Sequence, residues 1–267
     1  FLLLYKLQLV LTASLGLPEL PGFPYASEQA AGGYIALGIL AIWMARKHLA
    51  GVVRTALGRP DGIDESREPM RYRTMLIGLA LCFILLVAYG VALGASPGVM
   101  AIFFLIFFLY SLAISRMRAE LGPPAHDLHY AGPEMLITNA VGTANISKPN
   151  LGVFTLFYGF NRAYRAHYAA HGMEAYKVAQ ESKLTARSML VAMVVSVVVG
   201  LASSVWALLH AMYTHGYSGK PASGMASEAW TRMENWITMP EGPHIPATVA
   251  ATAGALFTLG LGAMRTH

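Results

Sequence analysis

Apolar residues in this chain gather in long unbroken runs. Five runs contain no Asp, Glu, Lys or Arg: Ala30 to Ala45, Thr74 to Ala95, Val99 to Ser115, Ser188 to Met212 and Ala247 to Met264. A helix needs about 20 mainly apolar residues to cross roughly 30 Å of hydrocarbon, and each run predicts such a helix. A sixth, Phe1 to Leu17, carries only Lys6. The strict alternation of a barrel strand is missing, and backbone groups in hydrocarbon must be paired within a helix or a closed barrel. The predicted fold class is all-α: a polytopic transmembrane helix bundle with spans at about 1–17, 30–45, 74–95, 99–115, 188–212 and 247–264.

Polar positions sharpen this picture through their distribution. Of the 19 Lys and Arg, 15 fall in just two inter-span segments, 46–73 and 116–187. Residues 18–29 and the turn 94–98 hold none, and 213–246 hold Lys220 and Arg232. Cytoplasmic loops are enriched in basic residues, so 46–73 and 116–187 are expected in the cytoplasm, with 18–29, 94–98 and 213–246 outside. Gly90 and Gly94 form a small-xxx-small pair that could admit a neighbouring helix, although glycine is common in such helices anyway.

The pattern changes in 116–187. Pro123 and Pro124 break the helix leaving the membrane. Two short half-apolar pieces follow, Glu134 to Val141 and Leu151 to Phe160, separated by Asn145, Ser147, Lys148, Pro149 and Asn150. Pro133 suits a first helical position. Pieces this short cannot span, so the segment predicts either a re-entrant or interfacial helical hairpin or a folded loop lying against the bundle. Asn161 to Lys183 then reads as one amphipathic helix in the headgroup plane, with Phe157, Phe160, Tyr164 and Tyr168 on one face.

Composition agrees with the pattern: 55% of residues are hydrophobic and 12% charged, against about 25% charged in a soluble domain. A disordered chain and a disulfide scaffold are excluded, since apolar content is high and Cys82 is the only cysteine. The net charge of +5 reflects topology and contact with anionic lipid. The expected partners are membrane lipids, the remainder of its own chain and other membrane subunits, with no nucleic acid. The first residue, Phe1, and an end just beyond an apolar run predict a single membrane domain, 1–267, from within a longer chain.

Candidate chemistry lies in the broken segment. Asp127 and Glu134 stand in otherwise uncharged surroundings and are the carboxylates expected to be partly buried. Such a group could carry a coupling proton, because burial favours its neutral form. Equally, Asp127 could cap its loop and Glu134 could favour a helix first turn. Asn139, Asn161 and Arg165 complete the substrate or proton candidates. His126, His129, His167 and His171 have ligand-like spacing, the last two four residues apart. Without HExxH or nearby cysteine they meet no catalytic zinc signature. No GxSxG, GxxxxGK or GxGxxG motif occurs, so neither an enzyme activity nor a cofactor is expected.

The stretches Asp64-Glu65-Ser66-Arg67-Glu68-Pro69, Arg116 to Pro124, His126-Asp127-Leu128-His129 and Phe160-Asn161-Arg162-Ala163-Tyr164-Arg165 resemble an uncharacterised family of bacterial polytopic membrane proteins, known only as a domain of unknown function. The resemblance covers nearly the whole chain and implies a location in the bacterial inner membrane, further spans on both sides and a general plan loosely similar to oligopeptide-transporter-type carriers. It supplies no catalytic or binding residue. Three functions follow as expectations: part of a carrier for a small solute, with proton coupling; a non-catalytic subunit scaffolding a membrane complex; and, least favoured, a metalloenzyme built on the four histidines.

Overall fold

A computed structural model describes residues 2–16, 22–59, 63–122, 127–165, 167–216 and 221–265. Among them the chain forms helices and no strand, in the order α1 (Leu2–Ser14), α2 (Ala26–Ala56), α3 (Tyr72–Ala92), α4 (Pro97–Leu121), α5 (Pro133–Val141), α6 (Lys148–Asn161), α7 (Tyr168–Glu181), α8 (Ala186–His215), α9 (Pro221–Thr238) and α10 (Ile245–Arg265), with a 3-10 turn at Thr143–Asn145 between α5 and α6. Five of the described helices, α2, α3, α4, α8 and α10, are long and apolar enough to cross a membrane. They coincide with the five charge-free runs.

Helix α4 is the axis of the fold. Pro97 starts it at a position where a missing N–H costs nothing, and Gly122 stops it in the left-handed region at φ 57°, donating its N–H to the Arg118 carbonyl. Helix α2 packs along one side of α4 and α10 along α2. Side chains are missing where these backbones meet: a Cβ on Gly32 would strike the Ala251 carbonyl oxygen, and one on Gly254 the Gln29 carbonyl oxygen. Close approach through small residues is how helices gain packing energy in lipid, which offers no hydrophobic drive between them. Of the pair expected in this role, Gly90 plays it towards α4 and Gly94 does not. Gly90 accommodates the Met100 side chain, and Gly94, at φ 102°, makes the tight turn between α3 and α4.

Helices α5 and α6 form a hairpin against α4 that enters and leaves by the same end. At its base Leu128 and Ala131 join Tyr110 and Ile114 in one buried cluster, with Met135 and Leu136 packed on it. At its tip the Asn150 carboxamide oxygen accepts from the Ser96 N–H at 2.7 Å, in the α3–α4 turn. Between these ends Phe103 of α4 stacks on Phe154 at 5.7 Å between ring centres and meets Phe157 at 5.5 Å. Pro133 and Pro149 sit in the first turns of α5 and α6, and Gly142, at φ 84°, ends α5.

Of the two arrangements expected for this segment, a hairpin and a folded loop, the hairpin is the one formed, and it reaches the 94–98 turn. Its tip sits on that turn, because α5 climbs alongside α4 and α6 returns.

Two further expectations are corrected. The stretch 161–183 is not one helix. The Arg162 carbonyl accepts from the Tyr130 N–H at 3.1 Å, and His129 and Ala163 form an isolated β-bridge, so this backbone serves the loop before α5. The supposed aromatic face therefore divides: Phe157 and Tyr164 are buried, Phe160 is partly exposed, and Tyr168 is exposed on α7. The second correction concerns 213–246, expected as an outside loop. Much of it is α9, packed along α6 and carrying polar side chains into the fold.

Candidate functional site

The hairpin brings one carboxylate into the interior. Glu134, in the first turn of α5, retains 2% exposure. A Cβ on Gly132 would collide with its carboxylate, so the glycine before the helix makes room for it. Negative charge is favoured at a helix start. The nearest cation comes from α9: Arg232 Nη1 lies 3.6 Å from Glu134 Oε1. This is longer than the roughly 2.7–2.9 Å of a charge-assisted hydrogen bond. The other oxygen, Oε2, has no hydrogen-bond partner among the described residues.

Arg232 is held by aromatic faces. Its guanidinium carbon lies 4.4 Å from the centre of the Tyr158 ring and 4.9 Å from that of Trp236, an arrangement that stabilises a partly desolvated cation. A second charge pair tethers α9 to α6. Arg162 Nε donates to Glu228 Oε2 at 2.8 Å, and the Tyr158 hydroxyl donates to Glu228 Oε1. Arg162 also donates to the Tyr130 hydroxyl at 2.8 Å and lies 3.1 Å from His129 Nε2.

Further buried polar groups lie in this part of the fold. Tyr110 of α4 and Asn161 at the end of α6 are fully buried. Neither the Tyr110 hydroxyl nor Asn161 Nδ2 has a hydrogen-bond partner among the described residues. The Tyr164 hydroxyl donates to Asn161 Oδ1 at 3.4 Å. The Glu134 charge is near enough to act electrostatically on both the Tyr110 and the Tyr164 phenols.

Above Glu134, towards the hairpin tip, lies a cavity of about 310 Å³. Thr138, Asn139, Asn235, Trp236 and His244 contribute to its lining. The Asn139 carbonyl accepts from the His244 N–H at 2.8 Å, and the Glu241 N–H donates to Thr143 Oγ1 at 2.9 Å. The hairpin tip is thereby tied to the start of α10.

The other site candidates are scattered. Asp127 accepts from Arg165 Nε at 2.6 Å; its side chain is partly covered, at 28% exposure, whereas that of Arg165 is largely exposed, so this pair lies nearer the surface than Glu134. His129 faces Arg162. His167 packs on Phe107 at 5.6 Å between ring centres, while His171 Nδ1 lies 3.3 Å from Glu174 Oε2. His126 lies outside the described residues. Among the described residues no group of His, Cys, Asp and Glu gathers as a metal-ligand set would. On α7 the Arg118 hydrogen bond, then that of His171, holds the Glu174 carboxyl below its ordinary range.

Comparison with known families settles kinship. The profile of a family of unknown function, DUF6785, matches residues 1–267. The chain belongs to the DUF6785 family. No curated protein and no solved structure matches it. The site residues of this DUF6785 chain that sequence reasoning missed are Arg232, Glu228, Tyr158 and Tyr110. A signal existed for the first two: they stand four apart, so one helix face carries both.

Proposed function

We propose that this DUF6785 chain is part of a multi-span carrier for a small solute in a bacterial inner membrane, driven by protons and with Glu134 as the proton-carrying group. One observation supports this most: a sealed carboxylate at the start of a short helix, in a hairpin that runs beside α4 and returns. Carriers commonly build substrate and ion sites from interrupted helices of this kind. Ionisable groups at such depth are costly and are generally retained for function. The five spanning helices contribute no acidic residue of their own inside their charge-free runs, and the hairpin supplies one from between them. With the positive-inside rule, the 46–73 loop faces the cytoplasm and the hairpin tip points outward. This reading gives the chain no covalent chemistry and no cofactor.

Uptake by proteoliposomes of the purified full-length protein tests it. A labelled panel of sugars, amino acids, organic acids and amines is offered with and without an inward-acid pH gradient. Accumulation of at least one solute only with the gradient, lost in Glu134→Gln, is expected. Failure to accumulate any solute above protein-free vesicles would overturn the carrier reading.

A second reading, a scaffolding subunit, is favoured by α8, in whose most apolar stretch no residue is buried. Gentle detergent extraction and mass measurement separate the two. Stoichiometric companion subunits would support the scaffold, and a lone protein or homo-oligomer the carrier.

A further inference from the structure

We propose that Arg232 is the anchor for a small organic carboxylate: when Glu134 takes up a proton, the Arg232 guanidinium exchanges its internal carboxylate for that of a solute seated in the adjoining cavity. The inference rests on the carrier reading and names its substrate class.

Three features of the pair carry it. First, the partners differ in access: the Glu134 side chain is 2% exposed and that of Arg232 28%, so a solute can reach the cation while the carboxylate stays sealed. Second, the contact at 3.6 Å is loose, and Glu134 Oε2 lacks a hydrogen-bond partner among the described residues. Third, the guanidinium lies against Trp236, and Trp236 lines the cavity. Its contacts with Tyr158 and Trp236 hold the guanidinium beside the ring that lines the cavity if Glu134 becomes neutral. A planar guanidinium offers paired donors that match a carboxylate.

The cavity suits an organic anion. Its volume of about 310 Å³ stands at the low end of the roughly 300–1,000 Å³ of small-molecule pockets. The Asn139 and Asn235 side-chain amides can donate hydrogen bonds, and the Trp236 ring offers an apolar wall. Glu241 also contributes to the lining, but its residue is exposed and its backbone is engaged with Ala144 and Thr143.

The groups facing the exchange come from every packed element. Glu134 is faced by Arg232 of α9, Tyr110 of α4 and, in the chain after α6, Tyr164. Arg232 is faced by Tyr158 of α6 and acts on Glu228 of its own helix, which Arg162 already neutralises. His244, before α10, stands at the far end of α5. The charge balance is simple: one proton from solution joins a Glu134 oxygen and one carboxylate charge joins Arg232. No bond other than that to the proton is made or broken, and a monocarboxylate enters electroneutrally.

Tryptophan fluorescence of the purified full-length protein tests the inference, with lactate, a monocarboxylate ionised at both test pH values, as probe and Trp236→Phe identifying the reporter. Lactate is expected to quench Trp236 at about pH 5.5 and to bind about tenfold or more weakly at about pH 8. Glu134→Gln, which mimics the neutral carboxyl, is expected to bind equally at both. Arg232→Gln should bind at neither, and Arg232→Lys, which keeps the charge but not the fork, should bind weakly with the pH dependence kept. Quenching by neutral lactamide, by choline or by inorganic phosphate as strongly as by lactate would overturn it, as would no quenching by lactate in either wild type or Glu134→Gln. Gradient-driven uptake of a cationic or neutral solute would also overturn it while leaving the carrier reading intact. Absence of all uptake would overturn the carrier reading itself.

Discussion

Helix α8 and the α5–α6–α9 layer show opposite ways of using a low-charge sequence. Helix α8 is apolar on every side and buries nothing in its most apolar stretch. The layer is less hydrophobic and shorter in each piece, yet it contains Glu134, Arg232, Glu228, Arg162, Asn161 and much of the aromatic core. Hydropathy therefore locates what faces lipid, whereas polar pairing locates what is built inside. Away from water an unanswered polar group is costly, so the buried Glu134 Oε2, Tyr110 hydroxyl and Asn161 Nδ2, without partners among the described residues, set the layer apart from simple packing.

Substitutions can break this contrast. The largest effect is expected for Phe103→Ala, which removes the ring that meets Phe104, Phe154, Phe157 and Phe160 and should cost about 3–5 kcal/mol. The matching truncation on the exposed helix, Val198→Ala, should stay within about 0.5 kcal/mol. Unfolding in detergent measures both, and equal losses would erase the distinction. Next, Gly32→Val forces α2 and α10 apart and should cost about 1–3 kcal/mol, seen as a lower unfolding midpoint.

Glu228→Gln weakens a half-exposed pair with Arg162 and should cost about 1 kcal/mol, with α9 more open to proteolysis. Arg165→Ala, at an exposed pair, should change stability by less than about 0.5 kcal/mol. The smallest effect concerns pH. Because Glu174 is held below its ordinary range in the folded chain, the stabilisation it gives is present above that range and is lost as pH falls through the folded value. Arg118→Gln should flatten this acid-side slope of the unfolding midpoint.

The spans were legible because their apolar runs are long and uncharged. Helices α5 and α6 were legible because Pro133, Gly142 and Pro149 punctuate them. Helix α9 was not, since Glu228, Arg232 and Glu234 lower its hydropathy to that of a loop, and only packing on α6 explains them. The break after Asn161 was hidden too: it depends on Tyr130 and His129 recruiting the 162–163 backbone from more than thirty residues away. Of the site, Glu134, Asn139 and Asn161 could be named from sequence. Their partners could not, because Tyr110, Tyr158 and Arg232 come from three other helical faces.

The account stands on Glu134 and Arg232 being energetically coupled. A double-mutant cycle with Glu134→Gln, Arg232→Gln and both together, read by unfolding of the full-length protein in detergent, measures that coupling directly. Arg232→Gln alone leaves a buried carboxylate without its cation and should cost about 3 kcal/mol. Adding Glu134→Gln should recover much of that loss, for a coupling above about 1 kcal/mol. Strictly additive losses would contradict the account.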